Sequence, residues 1–189
     1  TQRSTLFPYT TLFRSFPILV SERLVLRQLR ATDAAGMFAM RSDPLVMHHV
    51  NRPMARTLDD AQALIELINS KTMNNEALHW AITVKGVDEF IGLIGFWRLV
   101  KEHHYAELGY TMARDAWGHG FATEAVATAL HHGFGTLGFH RVEAITRPAN
   151  TTSIRVLEKN GFMQEGHLRA NIFWDGKFHD SLVFGKLAP

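Results

Sequence analysis

Apolar residues fall at near-alternate positions in some stretches of this chain and at helical spacing in others, and the switches between the two periods mark out its elements. In Arg23-Leu24-Val25-Leu26-Arg27-Gln28-Leu29-Arg30 the partial alternation predicts a first strand. Asp33 is placed to cap a short helix through Met40, and Pro44 follows its end. Thr57 with Asp60 three residues on has the form of a capping box with Asp in the usual Glu position. Behind it, Ala61, Leu64, Ile65 and Ile68 recur at helical spacing. Strand-like runs follow at 78–85, 90–100 and 105–113, with Gly86 and Asp88 marking the first turn and the charged segment 101–104 the second.

The strongest helix pattern begins near Gly120. Ala122, Ala125, Val126, Ala129, Leu130, Gly133, Phe134 and Leu137 form its apolar face, and Thr123, Glu124, Thr128, His131, His132 and Thr136 the other. Gly138 suits a left-handed position after its end. A strand at 141–147, a short helix capped by Asn150 and ended by Gly161, and a hairpin turning at Asp175-Gly176 complete the chain. The order is β-α-α-β-β-β-α-β-α-β-β. A meander followed by a β-α-β crossover predicts an α/β (α+β) fold: a mixed, mostly antiparallel sheet of about seven strands with about four helices on both faces.

Composition narrows the class without naming a reaction. At 189 residues the chain is about one domain long, enough to bury roughly 70% of its unfolded surface. Lys+Arg 20 against Asp+Glu 18 leaves +2, too balanced for a dedicated nucleic-acid binder. Zero cysteines exclude a disulfide scaffold, a thiolate nucleophile and any cysteine-based metal site. The histidine pairs His48-His49, His103-His104 and His131-His132 diverge on a strand or helix, and no H-x-x-x-H or H-E-x-x-H occurs, so no metal is expected. No run of about 18 apolar residues exists to span a membrane, and the expected location is cytoplasmic.

Residues 1–20 read differently. Thr5-Leu6-Phe7 recurs as Thr11-Leu12-Phe13, Pro8 interrupts the stretch, and the parts of a secretory signal are missing. The string resembles translated sequencing-adapter read-through. It is set apart as an artefactual or unstructured leader, with a single domain expected over 21–189.

Candidate chemistry sits where a strand meets the strongest helix, in Gly109-Tyr110-Thr111-Met112-Ala113-Arg114-Asp115-Ala116-Trp117-Gly118-His119-Gly120-Phe121-Ala122. Two glycines one residue apart let backbone N–H groups converge at a helix N-terminus, a cradle suited to a pyrophosphate. No Lys-Ser/Thr follows, so it is not a nucleoside-triphosphate loop. The third glycine of a dinucleotide fingerprint is missing too. Taken alone, the same turn also reads as a simple strand-to-helix connection.

Glu107-Leu108-Gly109-Tyr110, then Trp117-Gly118-His119-Gly120-Phe121-Ala122-Thr123-Glu124-Ala125, then Asn150-Thr151-Thr152-Ser153-Ile154-Arg155-Val156-Leu157-Glu158-Lys159-Asn160-Gly161-Phe162 occur in that order. This series resembles the GNAT superfamily of CoA-dependent N-acyltransferases, most of all the branch of Rim-type N-acetyltransferases of ribosomal proteins. The tail Trp174-Asp175-Gly176-Lys177-Phe178-His179-Asp180-Ser181 is similar to that branch's closing hairpin, so the likeness covers about 21–187. It implies acetyl-CoA as co-substrate. The turn holding Trp117, Gly118, His119, Gly120, Phe121 and Ala122 would bind the pyrophosphate, with Thr123 adding a hydroxyl. The strand holding Tyr110 and Met112 would pair with the pantetheine arm. Asn150 and Ser153 match a second CoA-side motif, and Arg155 and Lys159 stand ready for phosphate.

There are departures. Asp115 stands where the superfamily usually has Gln or Arg, and Leu157 stands where it often has a tyrosine acid, which makes Ser153 the substitute candidate. The resemblance further implies transfer of acetyl to a primary amine, on a protein N-terminus (as in ribosomal-protein acetylation) or a small molecule. Glu107 is the candidate base for the amine proton, and a backbone N–H near Met112 the candidate oxyanion donor. Bland readings stand beside these: a solvent-facing or ion-paired Glu107, a first-turn serine bonded to backbone at Ser153, a pure N-cap at Asn150. Trp80, Trp97 and Trp174 read as core or groove wall, and Arg52 and Arg56 as surface or acceptor entry. The rival function is a non-catalytic acyl-CoA-binding module on the same fold. Partners are otherwise an amine acceptor, no direct nucleic acid and no membrane, in a monomer or homodimer.

Overall fold

The computed structural model describes residues 16–189. Its strands are β1 (Leu19–Val20), β2 (Leu24–Arg27), β3 (Leu78–Val84), β4 (Val87–Val100), β5 (Tyr105–Met112), β6 (Arg141–Thr146), β7 (Met163–Trp174) and β8 (Lys177–Leu187). The α-helices are α1 (Ala34–Ser42), α2 (Pro44–Met47), α3 (Leu58–Met73), α4 (Phe121–Gly135) and α5 (Thr151–Lys159). One sheet runs β1-β2-β3-β4-β5-β6-β8-β7. Among the described strands only β5 and β6 pair in parallel, across the α4 crossover.

Alternation along the strands splits the core in two. Leu24, Leu26, Leu78, Trp80, Ile82, Ile94 and Phe96 point to the face covered by α4, with Ala125, Val126, Ala129 and Leu130 against them. Ala81, Leu29 and Phe90 point to the other face, under Met37 and Met40 of α1 and Ala61, Ile65 and Ile68 of α3. The mixed sheet with helices on both faces is the expected one. On α4 the close fit depends on an absent side chain: a Cβ on Gly133 would lie 2.9 Å from Cζ of Phe96 and 3.1 Å from Cδ2 of Phe139. The closing hairpin turns at Asp175-Gly176 with both residues at positive φ (51° and 74°), the backbone a two-residue type I′ turn requires.

Several expectations change. The domain begins before residue 21: β1 pairs antiparallel with β2, and Trp80 donates through Nε1 to the Pro17 carbonyl at 2.8 Å. The Thr5-Leu6-Phe7 and Thr11-Leu12-Phe13 repeats lie outside the described residues. Pro44 follows the end of α1 and also starts a further helix, α2, because its fixed φ suits a first turn and Asp43 accepts from Leu45 N at 2.8 Å. Strands and helices therefore number eight and five among the described residues. Asp33 precedes α1 but makes no side-chain cap. Its carboxylate takes Nη1 and Nη2 of the buried Arg27, both at 2.8 Å, and Arg30 N at 2.8 Å. Asp88 lies in β4, not in a turn, and also binds the Arg27 guanidinium. His132 is buried rather than on a polar face, its ring 5.9 Å from Trp80, and burial lowers its pKa.

Candidate functional site

The site begins where two strands part. β5 and β6 are in register only at Tyr105 with Arg141, Ala106 with Val142 and Glu107 with Glu143. Beyond that β5 stays with β4 and β6 with β8, so residues 108–112 of β5 present an edge with no strand beside it. A cavity of about 740 Å³ opens there.

At one end of the cavity lies the glycine turn. After a 3-10 turn at Arg114–Ala116, Gly118 and Gly120 take φ of +79° and +77°, and α4 starts at Phe121 with no side-chain cap. A Cβ on Gly118 would meet nothing within 4 Å, and one on Gly120 only Arg23 Nη2 at 3.6 Å. Left-handed backbone, not crowding, selects glycine here. Because no side chain caps α4, its first-turn N–H groups are left for another acceptor. Trp117 donates through Nε1 to the Met112 carbonyl at 3.1 Å, which fixes the indole across the turn. Arg23 braces the far side: it donates to the His119 carbonyl at 3.0 Å, pairs with Glu124 and lies 4.9 Å over the Phe121 ring.

The wall opposite β5 comes from α5. Asn150 caps it by accepting from Ser153 N at 3.1 Å. The Ser153 hydroxyl lies 2.8 Å from the Tyr110 hydroxyl, which also donates to the Ser153 carbonyl at 3.2 Å. Burial pushes the Tyr110 phenol up to about 12, against a smaller lowering by Ser153. Leu157 is fully buried at the same wall.

Tyr110, Met112, Trp117, Gly118, Gly120, Phe121, Ala122 and Thr123 all line the cavity. So do Asn150, Ser153, Arg155 and Lys159, and the structure thus joins the two motif segments in one site. His119 and Glu107 do not line it. The His119 ring stacks on Phe121 at 5.5 Å. Glu107, the last residue of β5 paired with β6, is buried just before the opening, with Arg98 opposite on β4 and Glu143 opposite on β6. Burial raises its carboxyl to about 7; Arg98 pulls it down and Glu143 pushes it up.

The far end of the cavity was not legible as a site. Leu45 and Val46 of α2 line it with His48, His49 and Asn51, and across from them stands Arg147 at the end of β6. Arg147 donates to the His48 carbonyl at 3.4 Å and to Oδ1 of Asn51. The one available signal was the place of Arg147, three residues before Asn150. Arg52, Arg56, Trp97 and Trp174 do not line the cavity, and Trp80 is core. Among the described residues no group of three or more His, Asp or Glu is arranged to hold a metal ion, and no helix is long and apolar enough to cross a membrane.

Residues 23–163 match the acetyltransferase (GNAT) domain family, and the chain belongs to it. It is 33% identical over 174 residues to the uncharacterized N-acetyltransferase YoaA of Bacillus subtilis, spanning 92% of this chain and 98% of that one. It is 25% identical to the [ribosomal protein uS5]-alanine N-acetyltransferase of Escherichia coli, over 90% of this chain and 91% of that protein. A crystal structure of a GNAT-family acetyltransferase from Bacillus anthracis superposes with a TM-score of 0.81 at 26% identity, over 91% of this chain and 99% of that one. The protein is an acetyl-CoA-dependent N-acetyltransferase.

Proposed function

We propose that acetyl-CoA lies along the open edge of β5 with its pyrophosphate at the glycine turn, and that a primary amine attacks its thioester from the α2 end. One observation carries this reading: the unpaired edge of β5 and the uncapped start of α4 face the same cavity. An extended pantetheine arm completes such an edge as an added strand, while N–H groups and Arg155 and Lys159 take the phosphates. Asn150 serves as both cap and wall.

The residues divide the proton work. The amine must be neutral to attack, and Glu107, with a carboxyl near 7, takes its proton through water. Water is required because the carboxyl lies behind the cavity wall. The C–N bond forms as the carbonyl oxygen becomes an oxyanion, held by a β5 backbone N–H. When the C–S bond breaks, Ser153 gives its proton to the thiolate, the Tyr110 hydroxyl 2.8 Å away replaces it, and water returns a proton to Tyr110 as Glu107 releases the one it took. The products are an N-acetylated amine and CoA. The E. coli relative's acceptor, a protein N-terminal alanine, and small primary amines fit this chemistry equally. Calorimetric titration with acetyl-CoA, followed by thiol release with a panel of amines, tests the reading. Micromolar binding and release with at least one amine are expected; no binding at millimolar ligand overturns it.

A further inference from the structure

The α2 end of the cavity has an unbalanced set of polar groups. Nε of Arg147 and Nδ1 of His49 are both buried without a hydrogen-bond partner among the described residues. A buried guanidinium N–H left in this state costs folding free energy until an acceptor reaches it. The guanidinium is held by the His48 carbonyl and Asn51, which fixes its orientation and leaves the Nε edge over. His49 stands close enough to His48 and Arg147 that, after burial, both lower its pKa. No Asp or Glu is among the described residues lining the cavity, whereas Arg147, Arg155 and Lys159 all line it. The acid next to α2, Asp43, is already used: it caps Leu45 N and pairs with Arg114 at 3.7 Å.

We infer that the acceptor amine carries a carboxylate close to its reacting nitrogen, and that Arg147 and His49 hold that carboxylate; the acceptor is an amino acid or an amino-acid-like small molecule. The inference rests on the acetyl-transfer reading above and names the acceptor class for the same site. A polyamine is the opposite case, since each further ammonium needs a carboxylate that this wall lacks. A peptide N-terminus offers Arg147 only a neutral carbonyl, and a charged acceptor makes a hydrogen bond roughly twice as strong. The CoA phosphates do not claim this end. It belongs to α2, whose Val46 packs with α1 and α3, while the glycine turn opens α4 on the opposite face.

The test uses product-like probes and so does not depend on turnover. N-acetylglycine, N-acetylglycinamide and N1-acetylspermidine are titrated into the full chain, alone and with CoA. N-acetylglycine is expected to bind at least ~10-fold more tightly than the other two. Arg147→Lys keeps the charge but removes the Nε edge, and His49→Phe leaves the Arg147 contacts to His48 and Asn51 in place. Each should cut the preference to about 3-fold or less, with thermal melting recorded beside it. Equal affinity for acid and amide in the parent chain overturns the inference, as does tighter binding of N1-acetylspermidine. Acetyl-CoA titration decides the parent reading separately, because the probe preference is measured on the protein alone as well.

Discussion

Asp33 and Glu107 are equally buried, each 4% exposed, yet one is fully matched and the other is not. Asp33 receives two guanidinium bonds and a backbone N–H. Glu107 has burial against it, a second carboxylate in Glu143 and only partial relief from Arg98, which leaves its carboxyl near 7. The matched acid closes the α1 face of the sheet. The unmatched one sits at the mouth of the parted strands, where a group able to gain and lose a proton at neutral pH is useful.

The largest effect is expected from breaking the matched site. Asp33→Ala leaves the Arg27 guanidinium buried with Asp88 as its one carboxylate partner, and should cost ~3 kcal/mol or more in denaturant unfolding. The unmatched site should respond in the opposite sense. A carboxyl raised in the folded state binds more protons there than in the unfolded chain, so its contribution to stability is fully present below about pH 4.5 and lost as pH rises to about 7. Glu107→Gln should therefore lower kcat by at least ~100-fold, yet raise stability above pH 7 by roughly 1–3 kcal/mol. In the parent, kcat/KM should climb through pH 7 as the base ionises, and this limb should vanish in the variant. If Glu107→Gln destabilises the fold at pH 8 and leaves the rate alone, the contrast collapses.

Smaller effects sharpen the site itself. Gly120→Val should weaken acetyl-CoA binding at least ~10-fold, about 1.4 kcal/mol. Since Gly120 has φ +77°, the same change also strains the backbone, and melting without ligand separates the two losses. Tyr110→Phe removes the hydroxyl beside Ser153 and should lower kcat by about 3- to 5-fold with KM for acetyl-CoA little changed, since Ser153 retains its own proton.

What could be read from the sequence was local. The I′ turn at Asp175-Gly176, the Asn150 cap and the glycines of the turn each declare their backbone within a few residues. The α4 stripe declared its face, except that His132 looked polar and proved to be packing against Trp80. Contacts between distant segments left no such trace. Arg27 in a strand looks like a solvent-facing charge until Asp33 and Asp88 close on it. Tyr110 meets Ser153 across 43 residues, and Arg147 meets Asn51 across 96. Only the fold brings the last pair together, so the α2 end of the site was invisible in a pattern of neighbours.

The missing side chain at Gly133 reaches further than its own contact with Phe96. Residue 133 lies about 20 Å along the helix axis from Gly120, at a rise of ~1.5 Å per residue. A methyl added there would lie 2.9 Å from the Phe96 ring, so either that ring or the helix must shift, and a shift of the rigid helix displaces its start as well. To the extent that the helix yields, Gly133 is the seat of a lever whose moving end is the glycine turn. Gly133 does not line the cavity, so where the helix is what yields, a substitution at this position adjusts ligand affinity without changing a residue of the site.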